Sequence, residues 1–245
     1  MSTIALCSGK GAPGTTFCAI NVASALRRSG ADVLLLDLDP AGGDIAAYLG
    51  LDTRRGLYPL LRMDAGVPEP AALLAESEER AGVRVVCGFP ETSALSRNVD
   101  LLGASVKRAG EDRSVVCDLG RVTDAGARIA ARADLVVVVV RPDLVSVLGA
   151  ERAVRGLVSE GVARDRICAL VSGVERRRPA DVSEVRTALD LEVIGSVSLH
   201  RPSARKSLLS QMPVAKGPLM RAFDVLAATV RQPRTHDSPK EVAVA

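Results

Sequence analysis

Three features of the 245-residue sequence predict an α/β fold built on a single doubly wound, mainly parallel sheet flanked by helices. Short β-branched apolar runs alternate with helix-forming stretches along most of the chain, the order that gives parallel strands with helices on both faces. Those runs are apolar at consecutive positions, as expected of strands covered on both sides. No internal repeat and no long linker divides the chain, so residues 1–231 are read as one domain and 232–245 as a disordered tail.

The elements follow in order. Ile4-Ala5-Leu6-Cys7 is a first strand, and Phe17 to Leu26 reads as a helix stopped by Arg27-Arg28-Ser29-Gly30, basic residues and a glycine at its C-terminal end. Asp32 to Asp37 is a second strand, followed by the polar loop Leu38 to Asp44 and one helical turn over Ile45 to Leu49. Residues 51–80 carry short apolar groups between Pro68, Pro70 and acidic residues, read as two short helices and loops. Further strands are expected at Val83 to Gly88, Ser114 to Asp118, Asp134 to Val140, Ile167 to Val171 and Val193 to Val197. Helices are expected over 96–109, Asp124 to Ala131, Asp143 to Glu160, Asp181 to Leu189 with Asp181 as cap, 203–210 and 218–230.

Composition narrows the function classes. Residues are 47% hydrophobic but only 2% aromatic, so the core is aliphatic and base-stacking nucleic-acid platforms are disfavoured. The net charge of +3 permits an anionic partner such as DNA without indicating one. Five cysteines form no C-x-x-C pair, and four of them (Cys7, Cys87, Cys117, Cys168) lie in or beside apolar runs, which suits reduced, buried thiols. Residues 1–8 lack the charged leader and apolar stretch of a signal peptide, and Leu135 to Val140 is too short to span a bilayer. A cytoplasmic protein is expected.

Candidate chemistry concentrates where such sheets bind ligands, outside the carboxyl ends of the strands. The first strand runs into Gly9-Lys10-Gly11-Ala12-Pro13-Gly14-Thr15-Thr16, a glycine-rich turn opening a helix. Backbone N–H groups of such a turn and the positive end of the helix suit a phosphate. Asp37 and Asp39 follow the second strand, Asp118 the fourth, and Ser172 with Arg201 lie at the same edge further on. A cradle beside carboxylates suits Mg²⁺ with a nucleotide. Thr16 would give the metal a hydroxyl, Asp37 and Asp118 would stand by it, and Asp39 would orient an attacking water. The usual phosphate loop has lysine before its Ser/Thr, and here Thr15 holds that position.

Taken together, these segments resemble the deviant Walker A ATPases of the ParA/MinD type, a SIMIBI-type branch of the P-loop NTPases. The loop keeps the extra lysine of that group as Lys10, Val33 to Pro40 resembles its switch segment, and Val115-Val116-Cys117-Asp118 its Walker B strand. Gly43-Asp44-Ile45-Ala46 with Leu49 resembles the TadZ/CpaE branch. The resemblance covers about residues 1–230. It implies ATP and Mg²⁺ as ligands and an ATP-dependent homodimer in which Lys10 reaches the partner's phosphates. It further implies a role in positioning pilus, chromosome or septum machinery through protein partners, with recruitment to membrane-associated or polar complexes. Thr15 removes one positive charge from the cradle, and Ser172 stands where relatives often carry Asn near the base.

Weak or slow hydrolysis is therefore the expectation, with a pseudo-ATPase scaffold as the alternative. A dinucleotide-binding Rossmann protein is a remoter one, because Gly9, Gly11 and Gly14 also make G-x-G-x-x-G. Arg176-Arg177-Arg178 reads as a solvated loop, His200 as structural or functional alike, and Arg201, Arg205 and Lys206 as able to meet phosphate or a partner. The 232–245 tail lacks the period of a membrane-targeting helix, so no direct membrane anchor is expected.

Overall fold

The computed structural model describes residues 2–11, 13–40, 43–61, 68–88, 97–174, 180–198 and 200–231. Ala12, the Arg176–Arg178 run and the 232–245 tail lie outside the described residues.

Eight strands form one sheet: β1 (Thr3–Ser8), β2 (Val33–Asp37), β3 (Glu78–Arg80), β4 (Val83–Val86), β5 (Ser114–Arg121), β6 (Leu135–Val140), β7 (Ile167–Val174) and β8 (Val193–Ser198). Their order is β3-β4-β2-β5-β1-β6-β7-β8, and every pair is parallel except β3 with β4. The helices are α1 (Thr15–Arg28), α2 (Ile45–Leu49), α3 (Leu57–Leu61), α4 (Pro70–Ala75), α5 (Val99–Asp112), α6 (Asp124–Ala130), α7 (Leu144–Ser159), α8 (Ala180–Leu189), α9 (Arg201–Ser210) and α10 (Pro218–Val230).

The consecutive apolar residues of each strand divide between two cores, because successive side chains of a strand point to opposite faces. Ile4 and Leu6 join α1 and α10, through Ile20, Val22, Phe223 and Leu226. Ala5 and Cys7 join α5 to α8, through Leu102, Val106, Ile129, Val154 and Val185. All six residues of β1 are buried, which places this strand at the centre of the three layers.

Helix starts follow local capping chemistry. Asp143 accepts the Ser146 amide at 2.9 Å to start α7, and Thr123 accepts that of Gly126 at 3.1 Å to start α6. Helix α1 begins at Thr15 instead of Phe17, so both threonines of the loop belong to its first turn. Helix α8 begins at Ala180, which makes Asp181 its second residue and not its cap.

The stretch 51–80 holds the two short helices expected of it and also strand β3, which the residue pattern conceals. Glu78-Glu79-Arg80 has no apolar or β-branched residue and pairs as a charged edge, a composition that discourages further strand addition. It turns into β4 through Ala81 and Gly82, with φ of 52° and 76°. Two consecutive positive φ angles are the signature of a tight hairpin turn, usually written Asn-Gly or Asp-Gly, so Ala-Gly gives a weak signal.

The strand order also decides against the dinucleotide-binding alternative. In the Rossmann order the first two strands are neighbours. Here β5 lies between β1 and β2.

Candidate functional site

Beyond β1 the chain turns sharply against α7. A Cβ on Gly9 would fall 1.9 Å from the carbonyl oxygen of Gly149, and one on Gly149 would fall 3.0 Å from the Gly9 oxygen. Loop and helix therefore meet backbone to backbone, which glycine at both positions permits. The Ser8 hydroxyl donates to the Lys10 and Gly120 carbonyls at 2.9 and 3.2 Å, fixing the start of the loop to the end of β5. Gly14 closes the loop in the left-handed region, φ 91°, and its carbonyl accepts the Cys18 amide at 2.9 Å.

No side chain caps the first turn of α1. Its leading N–H groups are thus presented by the loop, the arrangement that suits an anion at a helix N-terminus. Thr15 is buried, and among the described residues its hydroxyl has no hydrogen-bond partner. Lys10 is exposed, and none of the ion pairs among the described residues involves it.

Beside the loop the sheet gathers carboxylates. Asp37 and Asp118 are register partners on β2 and β5, each fully buried. Asp118 accepts the Gly120 amide at 3.1 Å to Oδ1, and the Thr16 hydroxyl is close enough to favour its charged form. Among the described residues its Oδ2 is buried without a partner. Asp37 accepts the amides of Asp39 at 3.3 Å and Ile45 at 3.1 Å, so it tethers the loop after β2 and caps α2. Asp39 lies over Gly120, whose φ is 56°; a Cβ there would fall 2.0 Å from Asp39 Oδ2.

Burial pushes the Asp118 carboxyl up to about 6, with Asp39 and Asp44 adding to the rise and the bonds from Thr16 and Gly120 opposing it. Burial, then the charge of Asp118, holds Asp37 well above the usual carboxylate range. Such clustering disfavours several negative charges at once and favours a cation. Among the described residues no three His, Cys, Asp or Glu side chains form a metal cage. A magnesium ion here would complete its shell with ligand oxygens and water, its usual habit.

On the other side of the loop is a cavity of about 370 Å³. Pro13, Gly14 and Phe17 form one wall, Tyr48 of α2 a second, Arg141, Ser172 and Gly173 a third, and His200, Arg201, Ala204, Arg205 and Leu208 a fourth. Ser172 does more than line it: its buried hydroxyl donates to the Pro13 carbonyl at 2.5 Å, tying β7 to the loop. His200 Nδ1 accepts the Ser203 amide at 3.2 Å and caps α9, which gives this residue its structural role.

The fold thus brings Gly9 to Thr16, with Ala12 outside the described residues, together with Asp37, Asp39 and Asp118 on one side and Ser172 and Arg201 on the other. Phe17, Tyr48 and Arg141 also line the cavity and escaped sequence reasoning. Arg141 directly follows a parallel strand, so the rule placing ligands at carboxyl ends of strands was a signal for it. Tyr48 had none.

Residues 1–69 match the family model ParA, described as NUBPL iron-transfer P-loop NTPase. The ParA family ATPase of Chlorobium tepidum superposes with a TM-score of 0.82 at 17% identity, over 93% of this chain and 98% of that one. The chain has the fold of the ParA/MinD P-loop NTPases.

Within that fold, MinD of Pyrococcus horikoshii, solved with Mg-ADP, superposes with a TM-score of 0.76 at 19% identity, covering 94% and 96% of the two chains. MinD in the MinC:MinD complex of Aquifex aeolicus gives 0.77 at 20% identity, over 98% and 100%. The chromosome-partitioning ATPase Soj of Thermus thermophilus is 41% identical over 107 residues, 44% of this chain and 36% of that protein. An uncharacterized protein of Mycobacterium tuberculosis is 35% identical over 141 residues, 56% of this chain and 39% of that protein. The matches thus span about two fifths or less of these curated relatives. No helix among the described residues is long and apolar enough to cross a membrane.

Proposed function

We propose that this chain is an ATP-binding, nucleotide-dependent dimerising switch of the deviant Walker A group, closest to the TadZ/CpaE branch, that positions cell machinery through protein partners. The observation that carries this is the Asp118 carboxylate: fully buried, held by the Gly120 amide on Oδ1, close to the Thr16 hydroxyl in the uncapped first turn of α1, and left among the described residues with no donor to Oδ2. A buried carboxylate oxygen with no donor is costly unless a water or cation completes it.

In this assignment the loop amides and the hydroxyls of Thr15 and Thr16 face the phosphates, and the 370 Å³ cavity takes the nucleoside. Ser172 holds the Pro13 carbonyl in place, and Arg201 borders the nucleoside pocket. Thr16 and Asp118, with Asp37 behind them, would hold Mg²⁺, which when bound neutralises phosphate charge. Asp39 orients the attacking water. Exposed Lys10 is free to reach the phosphates of a second copy. The superposed MinD structures, one solved with Mg-ADP and one in a complex with MinC, support a ligand and a protein partner of these kinds.

A pseudo-ATPase scaffold is the alternative, favoured by Thr15. Its short side chain is buried and brings no positive charge to the loop interior, so binding is retained while transition-state charge stabilisation falls.

The test is a titration with a fluorescent ATP analogue, with and without Mg²⁺. Wild type is expected to bind in both, more tightly with Mg²⁺, and Thr16→Ala is expected to lose the Mg²⁺-dependent increment. Failure of wild type to bind, or preferential binding of NAD, would overturn the assignment.

A further inference from the structure

Between Glu192 and Asp224 the chain has no acidic residue but five basic ones, Arg201, Arg205, Lys206, Lys216 and Arg221. None of them takes part in an ion pair among the described residues, whereas Arg28, Arg108, Arg128, Arg155 and Arg164 each do. Into this acid-free stretch falls α9, with Leu208 and Leu209 at 46% and 74% exposure and Met212 just past its end at 38%. Lys206 and Leu209 are three residues apart and Arg205 and Leu209 four, so cation and leucine share a helix face.

The helix is firmly presented. His200 caps its start, Ser207 donates to the Met212 carbonyl at its end, and Val214 donates its amide to Asn21 Oδ1 at 2.8 Å. Arg205 and Leu208 border the cavity, while Lys206 and Leu209 stand outside it and are not used by the nucleotide assignment.

From this we infer that the outer face of α9, with the turn that follows it, docks an acidic, amphipathic helical segment of another protein, its carboxylates meeting Lys206 and neighbouring cations and its apolar side chains covering Leu209 and Met212. Charge complementarity gives register and encounter rate, and the exposed leucine gives the apolar anchor. Two other anionic occupants fit less well. Duplex DNA would meet the cations through its phosphates but leave Leu209 and Met212 in water. A lipid surface asks for a continuous apolar face, and the exposed Ser210 and Gln211 interrupt this one.

The probe is a synthetic helix of about 18 residues, long enough to be marginally helical, with leucines at i, i+3 and i+4 spacing and glutamates elsewhere. Its twin carries lysines for glutamates. Fluorescence anisotropy should show the Glu/Leu peptide binding wild type and the Lys/Leu peptide failing to. Lys206→Glu should weaken binding about tenfold or more, Leu209→Ser about threefold or more, and Lys206→Arg should retain it. Unchanged thermal unfolding and nucleotide binding in these surface variants separate docking from misfolding. Equal binding of both peptides, indifference to both substitutions, or no peptide binding while random-sequence duplex DNA or phosphatidylglycerol vesicles are retained would each overturn the inference.

Discussion

Asp37 and Asp118 sit opposite each other on adjacent parallel strands, both wholly buried, and the oxygen of Asp118 that no hydrogen bond satisfies lies in the same acidic cluster as Asp39 and Asp44. The carboxyl pKa of Asp118 is about 6 in the folded chain, and a free aspartate titrates near 3.9. Across that window the folded state holds more protons than the unfolded one, so stability falls as pH rises.

Asp118→Asn removes this burden. Its thermal midpoint without ligand is expected to exceed that of wild type by several degrees at pH 8, at about 2–4 °C per kcal/mol for a chain of this size. The advantage should shrink as pH falls through about 6 and be lost below about pH 3, where the carboxyl is protonated in both states. Calorimetry across pH reads this directly. A midpoint at pH 8 lower than wild type would remove the acidic cluster as a source of apo instability. Mg²⁺ with ATP should stabilise wild type more than the variant.

The backbone contact of Gly9 with Gly149 leads to a graded pair of variants. Gly9→Ala places its Cβ 1.9 Å from a helix carbonyl, a contact that neither element relieves without moving. Gly149→Ala meets the loop at 3.0 Å and asks for a smaller shift. ATP affinity is expected to fall about tenfold or more in the first and only a few-fold in the second, while far-ultraviolet circular dichroism stays native in both. Equal affinities in both variants would mean that the loop is not held by α7.

Thr15→Lys restores the charge that this loop lacks. Single-turnover ATP hydrolysis is expected to accelerate about a hundredfold, the scale of removing or adding one stabilising group at a developing charge. A wild type already as fast as the lysine variant would leave the scaffold alternative without support.

Lys10→Ala tests the bridging role. Sedimentation velocity with ATP should show a smaller dimer fraction, with unfolding of the monomer unchanged because Lys10 is exposed and outside the ion pairs described. An equal dimer fraction in variant and wild type would end that assignment.

Much of the architecture was legible residue by residue. Six consecutive valines and leucines at Leu135–Val140 admit little but a strand buried on both faces. Asp143 before the apolar period of α7 marks its start through the bond it makes to Ser146. Strand β3 was not legible, because its three charged residues carry no apolar period and its turn uses Ala81 where Asn or Asp is usual. Asp181 resembled a cap by residue type alone, and type does not report whether the preceding residue is already helical.

The sequence by itself determined the loop, the order of strands and helices, and the carboxylates at the strand ends, since each depends on residues near one another in the chain. Tertiary structure alone decided which of these meet. Insertion of β5 between β1 and β2 brings Asp118 beside Asp37 and close to Thr16. Closure of β7 on the loop turns Ser172 into the support of Pro13, and packing of α7 on Gly9 leaves room for no side chain there. These contacts join residues about 80 to 160 positions apart, and no local period or propensity encodes such a distance.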